Sequence, residues 1–520
     1  MATADFKCCA SDPATFQPWL QHHGSHVTSI CCGYSGENKE EDDYLRSWAQ
    51  EKDVKPELRE LHCTNLMKLA LYDWAVQLDG PLLQAATGIT YLDLHMLNKH
   101  DFGYDFHNTL WWSRRGGLNA LAALEDLQAL QRFDLSVGET LAIYNPNDRD
   151  QLPSRVIRSW STSLTRLSFS GVLALESYEP FSRFVKLQHL YMDLRLGVQE
   201  ASAESAQQPF AQLQALTFLS LCMEEHHKRA QASSSLPLSG CSELQELHLY
   251  SPSLDAVTLE GLTGLHRLYV SLPALEESGA ACFGAVLSDI GHMLHLERLV
   301  LSAGFHCETV TLDSGIAELC TALTASGQLS YLDLSGLKLP RSALVHLFPN
   351  GRQLPQLHEF KLSFANASTY DDFLDCSALE QMVVCCPAIT RLGFGDLSVF
   401  KRDVSLVPLL QLRQLADLEC PFVMDGASSV GVLARLSSLT RLHLQPSPEG
   451  DAAYRLTDES MLQLTALTRL KELGLQHHPW QQHCQGHGLS MMGGHWKITL
   501  KVGSLLQSLR SLCYVNTLLL

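Results

Sequence analysis

Histidine and cysteine cluster near the end of the chain in HHPWQQHCQGHG, where His477, His478, His483, Cys484 and His487 are followed by His495. Imidazole and thiolate groups at loop spacing are zinc ligands, and a structural zinc needs four of them in a tetrahedron. Adjacent His483 and Cys484 do not easily reach one ion, and the same stretch reads as a polar insertion between the last two repeats. His478, His483, Cys484 and His487 are therefore the metal candidates, with no bound metal and no cofactor expected. Catalytic patterns are missing: there is no GxxxxGK[ST], GxSxG, HExxH or CxxC, and GFGDLS at Gly393 is one glycine short of a dinucleotide fingerprint. No enzyme is expected.

A second set of chemistry-bearing residues is spread along the chain: His189, Tyr191, Phe218, His248, Tyr250, Arg267, Tyr269 and Arg298. Each lies beside a leucine or similar residue of a recurring LxxLxL string, and arginine returns at one column of that string in Arg132, Arg166, Arg267, Arg298, Arg391 and Arg441. Tyrosine and arginine are enriched where proteins bind one another. The competing reading is a lateral ladder of stacking and cation-π contacts that only solubilises a sheet.

The elements that must hold these residues are written in the leucines, 95 of 520 residues. Only Leu20 and Leu45 precede Leu58. LxxLxL strings, with other apolar residues substituting, begin at Val27, Leu58, Ile89, Leu130, Leu164, Leu187, Leu216, Leu244, Leu265, Leu296, Leu329, Leu357, Ile389, Leu415, Leu439, Leu470 and Leu509. LMKLAL from Leu66 competes with LRELHC from Leu58; Leu58 gives the more even spacing and is preferred. In each string the fourth and sixth residues point to one face of a short strand and the residues flanking them to the other. Segments between strings, such as GAVLSDIGHMLHL and DCSALEQMVVCCPAI, carry apolar residues at helical spacing. One strand and one helix cannot bury both apolar sides alone, whereas stacked copies share a continuous core. The expectation is an α/β solenoid of about fifteen to seventeen irregular repeats over residues 27–520, with a concave parallel sheet and helices or loops outside. Residues 1–26 are expected to form a tail and capping helix, Phe16 to His23.

With these strings the chain resembles the leucine-rich repeat superfamily from Val27 onward. FQPWLQHHGSHVTSICC, LLQAATGITYLDLHML and CCPAITRLGF are similar to the irregular intracellular repeats of plants and green algae, including F-box/leucine-rich-repeat proteins. The family string ends in Asn or Cys, yet Leu97, Gly138, Val172 and Arg195 occupy that position, so the asparagine ladder of regular members is missing. The resemblance implies a non-catalytic scaffold that recognises a protein partner through the concave face. Its alternatives are a substrate-recognition subunit of a ubiquitin ligase without its F-box, and a GTPase-regulating or metal-dependent enzyme component. The chain is expected to be cytoplasmic, and the resemblance implies, as an alternative, a place on the cytoskeleton or ciliary axoneme.

Net charge is −18, from 38 Lys and Arg against 56 Asp and Glu, which disfavours a partner that is nucleic acid, since phosphate tracking needs a basic face. No apolar run is long enough to span a membrane, and MATADFKCCASDP lacks the parts of a signal peptide, so no membrane insertion is expected. Sixteen cysteines without paired spacing are expected to be mostly free, buried thiols. Glu37 to Asp53 reads as a solvated acidic loop or convex helix, and Asn98 to Leu118, Gln199 to Gln208 and Ala230 to Ser235 as insertions. The last residues, SLRSLCYVNTLLL, carry no polar cap and invite end-to-end association with another chain.

Overall fold

The computed structural model describes residues 4–8, 19–32, 57–58, 63–72, 75–76, 86–96, 124, 126–137, 151–152, 154–170, 174–175, 179–194, 210, 212–223, 236–238, 240–250, 257–272, 279–303, 310–311, 314–339, 342–364, 376–394, 405–421, 426–445, 463–477 and 496–501. The chain forms two compact units, Met1–Leu265 and His266–Leu520. Both are built from the same coil: a tight turn, a short strand and a return path.

The first unit holds, in chain order, β1 (Ala4–Cys8), β2 (Val27–Cys32), β3 (Lys68–Tyr72), β4 (Tyr91–Met96), β5 (Arg132–Val137), β6 (Arg166–Ser170), β7 (His189–Leu194), β8 (Phe218–Met223) and β9 (Glu246–Tyr250). Each pairs in parallel with the next. The second unit holds β10 (Arg267–Leu272), β11 (Arg298–Ala303), β12 (Tyr331–Leu339), β13 (Glu359–Phe364), β14 (Arg391–Phe394), β15 (Asp417–Pro421), β16 (Arg441–Gln445), β17 (Glu472–His477) and β18 (Trp496–Lys501). Its strands also pair in sequence order and in parallel, except that β18 returns antiparallel to β17. The architecture is an α/β leucine-rich-repeat solenoid.

The leucines set this geometry. In β6 exposure alternates along the strand, with Leu167 and Phe169 buried and Arg166, Ser168 and Ser170 outward. The registers place Leu190, Leu219 and Leu247 side by side, so one coil's leucines cover those of the next. Fully burying such a side chain is worth about 1.5–3 kcal/mol. The residue three places before each string, apolar in most coils and serine at Ser161 and Ser326, closes the preceding turn: the Leu66 amide donates to the Cys63 carbonyl at 3.2 Å, Leu187 to Phe184 at 2.8 Å and Leu415 to Leu412 at 3.1 Å. In place of an asparagine ladder, hydroxyls just before the strands tie coils together. Thr165, Thr217, Thr390 and Thr440 each donate from Oγ1 to a carbonyl of the preceding coil at 3.0–3.1 Å.

One register is corrected. The third strand of the ladder is KLALY, so the string begins at Leu66 and not at Leu58: Ser29 pairs with Lys68 and Ile30 with Leu69. Leu58 lies in a two-residue strand beside Ala75–Val76. The physical reason is the turn, because Cys63 and Leu66 are both fully buried and joined by the same amide-to-carbonyl hydrogen bond that precedes the strands from β4 to β17. At the N-terminal side, residues 19–23 are helical and Leu20 is buried, and β1 adds a further strand on β2. The two segments read as convex helices are helical, at Gly279–Ile290 and Cys376–Cys385. No helix among the described residues is long and apolar enough to cross a membrane.

Candidate functional site

The outward strand positions of the first unit form three columns. Across β7, β8 and β9 the registers align His189 with Phe218 and Glu246, Tyr191 with Ser220 and His248, and Asp193 with Cys222 and Tyr250. Strand spacing near 4.8 Å brings neighbours in a column into ring contact. His189 and Phe218 lie 5.8 Å apart between centroids, and Phe218 meets His248 edge-on at 5.3 Å. His248 is held from both sides, with Nε2 2.8 Å from Glu246 Oε1 and Nδ1 3.4 Å from the Tyr250 hydroxyl. In the middle stands Ser220, which faces outward yet is only 1% exposed, and among the described residues its Oγ has no hydrogen-bond partner. Burial, aided by Asp193, pushes the Tyr191 hydroxyl up to about 12. Burial and Arg166 lower His189, which favours its neutral ring.

Further along the same unit the face turns polar. Arg132 lies over the Tyr91 ring at 4.6 Å and donates from Nε to Asp134 Oδ2 at 2.6 Å, while Arg166 approaches the same carboxylate at 3.6 Å. Burial and neighbouring carboxylates, Asp93 first, push Tyr91 up to about 12.

The second unit carries a different face. Its first outward column reads Arg267, Arg298, Tyr331, Glu359, Arg391, Asp417, Arg441 and Glu472. From Glu359 onward, charge alternates from strand to strand. Arg391 bridges Glu359 at 3.0 Å and Asp417 at 3.3 Å, and Arg441 reaches Asp417 at 3.6 Å. Lys361, one column over, binds Glu359 at 2.9 Å and Asp333 at 3.9 Å. Glycine at Gly474 makes room in that column, because a Cβ there would sit 2.3 Å from His443 Nδ1. At the other end of this face Arg298 lies over Tyr331 at 3.8 Å and near Tyr269 at 5.6 Å.

The sequence-derived residues thus divide between the units. His189, Tyr191, Phe218, His248 and Tyr250 come together in the first, and Arg267, Tyr269 and Arg298 share neighbouring strands in the second. The strand alternation places all eight on the outward side. Glu246, Tyr331, Glu359 and Asp417 carry no signal in the string itself, although they occupy the same column as the arginines, and neither does Ser220, one column over; reading a column from string to string exposes the charge alternation. Candidates His478, His483, Cys484 and His487 lie outside the described residues, as do the acidic segment, the named insertions and the final leucines. Among the described residues no three His, Cys, Asp or Glu side chains are placed to hold a metal ion. Cys63, Cys241, Cys385 and Cys386 are buried free thiols.

No family model matches the chain, and no curated protein matches it in sequence. Solved structures do resemble it in outline. A leucine-rich-repeat protein of Leptospira interrogans is 16% identical over 80% of this chain and 86% of its own, with a TM-score of 0.45. The internalin InlF of Listeria monocytogenes is 14% identical over 83% and 94%, at 0.36. TLR13, solved in complex with ssRNA13, is 15% identical over 87% of this chain and 58% of its own, at 0.48. The fold assignment stands on the chain's own stacked strings and parallel registers.

Proposed function

We propose that this chain is a non-catalytic scaffold that recognises a protein partner through its outward strand face, anchored in the first unit by His189, Tyr191, Phe218, His248 and Tyr250. Ser220 is the observation that carries this reading. A buried hydroxyl left without a hydrogen bond costs about 1–3 kcal/mol. A face shaped only for solubility gains nothing by covering a serine with aromatic rings, whereas a partner group entering between Phe218 and His248 would use that hydroxyl. The rings supply large area at low conformational cost, the property that makes aromatic residues anchors at interfaces.

The test is affinity capture with the full chain from extract of its source cells, followed by reconstitution with the purified captured protein. Truncating two anchors, each worth about 2 kcal/mol when desolvated, should weaken binding more than tenfold in Phe218→Ala/Tyr250→Ala. Both side chains lie outside the leucine core, so the melting temperature should stay within a few degrees. Undiminished binding by this variant refutes the reading.

A further inference from the structure

We infer that Arg298, set between Tyr269 and Tyr331, is a receptor for a carboxylate on an acidic peptide segment of a partner. The inference rests on the reading of the outward face as a recognition surface, but on different residues in a different unit. Other cations of the second unit's face are paired within the chain: Lys361 with Glu359, Arg391 with Glu359 and Asp417, and Arg441 with Asp417. Arg298 has no carboxylate among the described residues. Among the described residues its Nε is buried without a hydrogen-bond partner, while the residue as a whole is partly exposed. The carboxylate on the adjoining strand, Asp333, is already engaged by the Tyr331 hydroxyl at 3.1 Å, the Ser335 amide at 3.0 Å and Lys361.

What holds the guanidinium is aromatic. Tyr331 lies 3.8 Å below Cζ, and the Tyr331 ring is itself fixed by its bond to Asp333 and by Lys361 Nζ at 3.4 Å from its oxygen. Stacking leaves the donor edge of an arginine free, and a planar fork held in place presents two parallel N–H groups to a carboxylate. Arg267 stands beside Arg298 in register on β10, so two positive side chains adjoin where the rest of the column alternates in sign.

The experiment selects binders from a random peptide library displayed on phage, using the immobilised full chain. Enriched peptides are then labelled and titrated by fluorescence anisotropy against the wild type, Arg298→Gln, Arg298→Lys and Phe218→Ala. Enriched sequences should contain Asp or Glu, and exchanging that residue for its amide should weaken binding about tenfold, the scale of a charge-assisted hydrogen-bond pair. Arg298→Gln should cause the same loss, and Arg298→Lys a partial one because charge remains without the fork. Replacing the acidic residue by phosphoserine distinguishes the sources: weaker binding supports the carboxylate, and tighter binding overturns it in favour of a phosphate. Enrichment of only non-acidic peptides, no enrichment, or acidic peptides that bind Arg298→Gln equally well also overturns the inference. Peptides that depend on Phe218 and not on Arg298 would overturn it while leaving the scaffold reading in place.

Discussion

The two units share a strand rule and solve the space behind it differently. In the first, rings from return paths fill the core: Trp160 meets Phe133 at 5.1 Å and Phe169 at 5.4 Å, and Phe169 continues to Phe181 and Phe181 to Phe184. The return paths described there include short helical pieces, such as Ser154–Ser159 and Glu179–Arg183. In the second unit longer helices occur, at Gly279–Ile290, Cys376–Cys385 and Gly426–Leu433, and their aliphatic side chains, such as Val286, Leu287, Leu379 and Val430, fill the core beside Phe283, Phe348, Phe360 and Phe394. The outward faces differ in parallel, aromatic contacts around Ser220 in one and an ion ladder in the other. A fixed strand side therefore leaves the return path and the outward columns free to vary independently, so each can be broken separately.

The largest effect is expected in the ring core. Trp160 is 1% exposed and touches rings from two strands, so Trp160→Ala leaves a large cavity that leucines cannot close. A loss of about 3–5 kcal/mol follows, measured as a shift in the denaturant midpoint. The matching change in the second unit, Leu287→Ala on a helix, should cost about 2–5 kcal/mol and fall toward the lower end, since a helix can settle into the space. Equal large losses in both would remove the distinction between the two cores.

A smaller effect concerns buried thiols, shared by both units. Burial pushes Cys63 and Cys241 up to about 11 and Cys320 and Cys420 up to about 12, from an ordinary value of 9.0. A folded chain that holds these protons more tightly than the unfolded chain has full stability below pH 9 and loses it as pH rises from 9 toward 11 and 12, because the unfolded state ionises first. The melting temperature should fall over that window. Native alkylation at pH 8 should spare these four cysteines and label them after denaturation. Labelling of Cys420 in the folded chain at that pH would contradict its burial.

Much of this molecule was legible in the sequence, because the strand side is dictated by a short periodic rule. Every string from Ile89 to Leu470 lies in register with a strand, since the first, fourth and sixth residues have nowhere to go but the shared core. Leu58 misled because even spacing was weighted above the turn. The pair Cys63 and Leu66, three apart before KLALY, carried the better signal. The antiparallel return of β18 had no periodic counterpart to announce it. Alternation also gave the outward direction of Phe218 and Tyr250, but contact between His248 and Glu246 depends on χ angles that no periodicity encodes. The covered hydroxyl of Ser220 was invisible for the same reason, being a property of its neighbours.

The ion ladder should yield the smallest effect. Asp417 Oδ2 accepts a hydrogen bond from Arg391 Nε at 3.3 Å and faces Arg441 Nη1 at 3.6 Å, with the carboxylate side chain 18% exposed and the two guanidinium side chains 48% and 50% exposed. Asp417→Asn keeps the shape and one acceptor oxygen while removing the charge that both arginines share. Exposed pairs are worth about 0.2–1 kcal/mol each, and water and salt screen these arginines, so the combined loss should stay near or below about 1 kcal/mol at low ionic strength. At about 1 M salt the screening length falls to about 3 Å, and the difference between variant and wild type should shrink further. Denaturant midpoints at the two salt concentrations measure it. A loss that matches Trp160→Ala, or one that salt leaves unchanged, would mean that the ladder acts as a packed part of the fold and not as a screened row of charges. The contrast between a face that stabilises little and a core that stabilises much would then fail for the second unit, whereas a small, salt-sensitive loss leaves its outward column free to be spent on recognition.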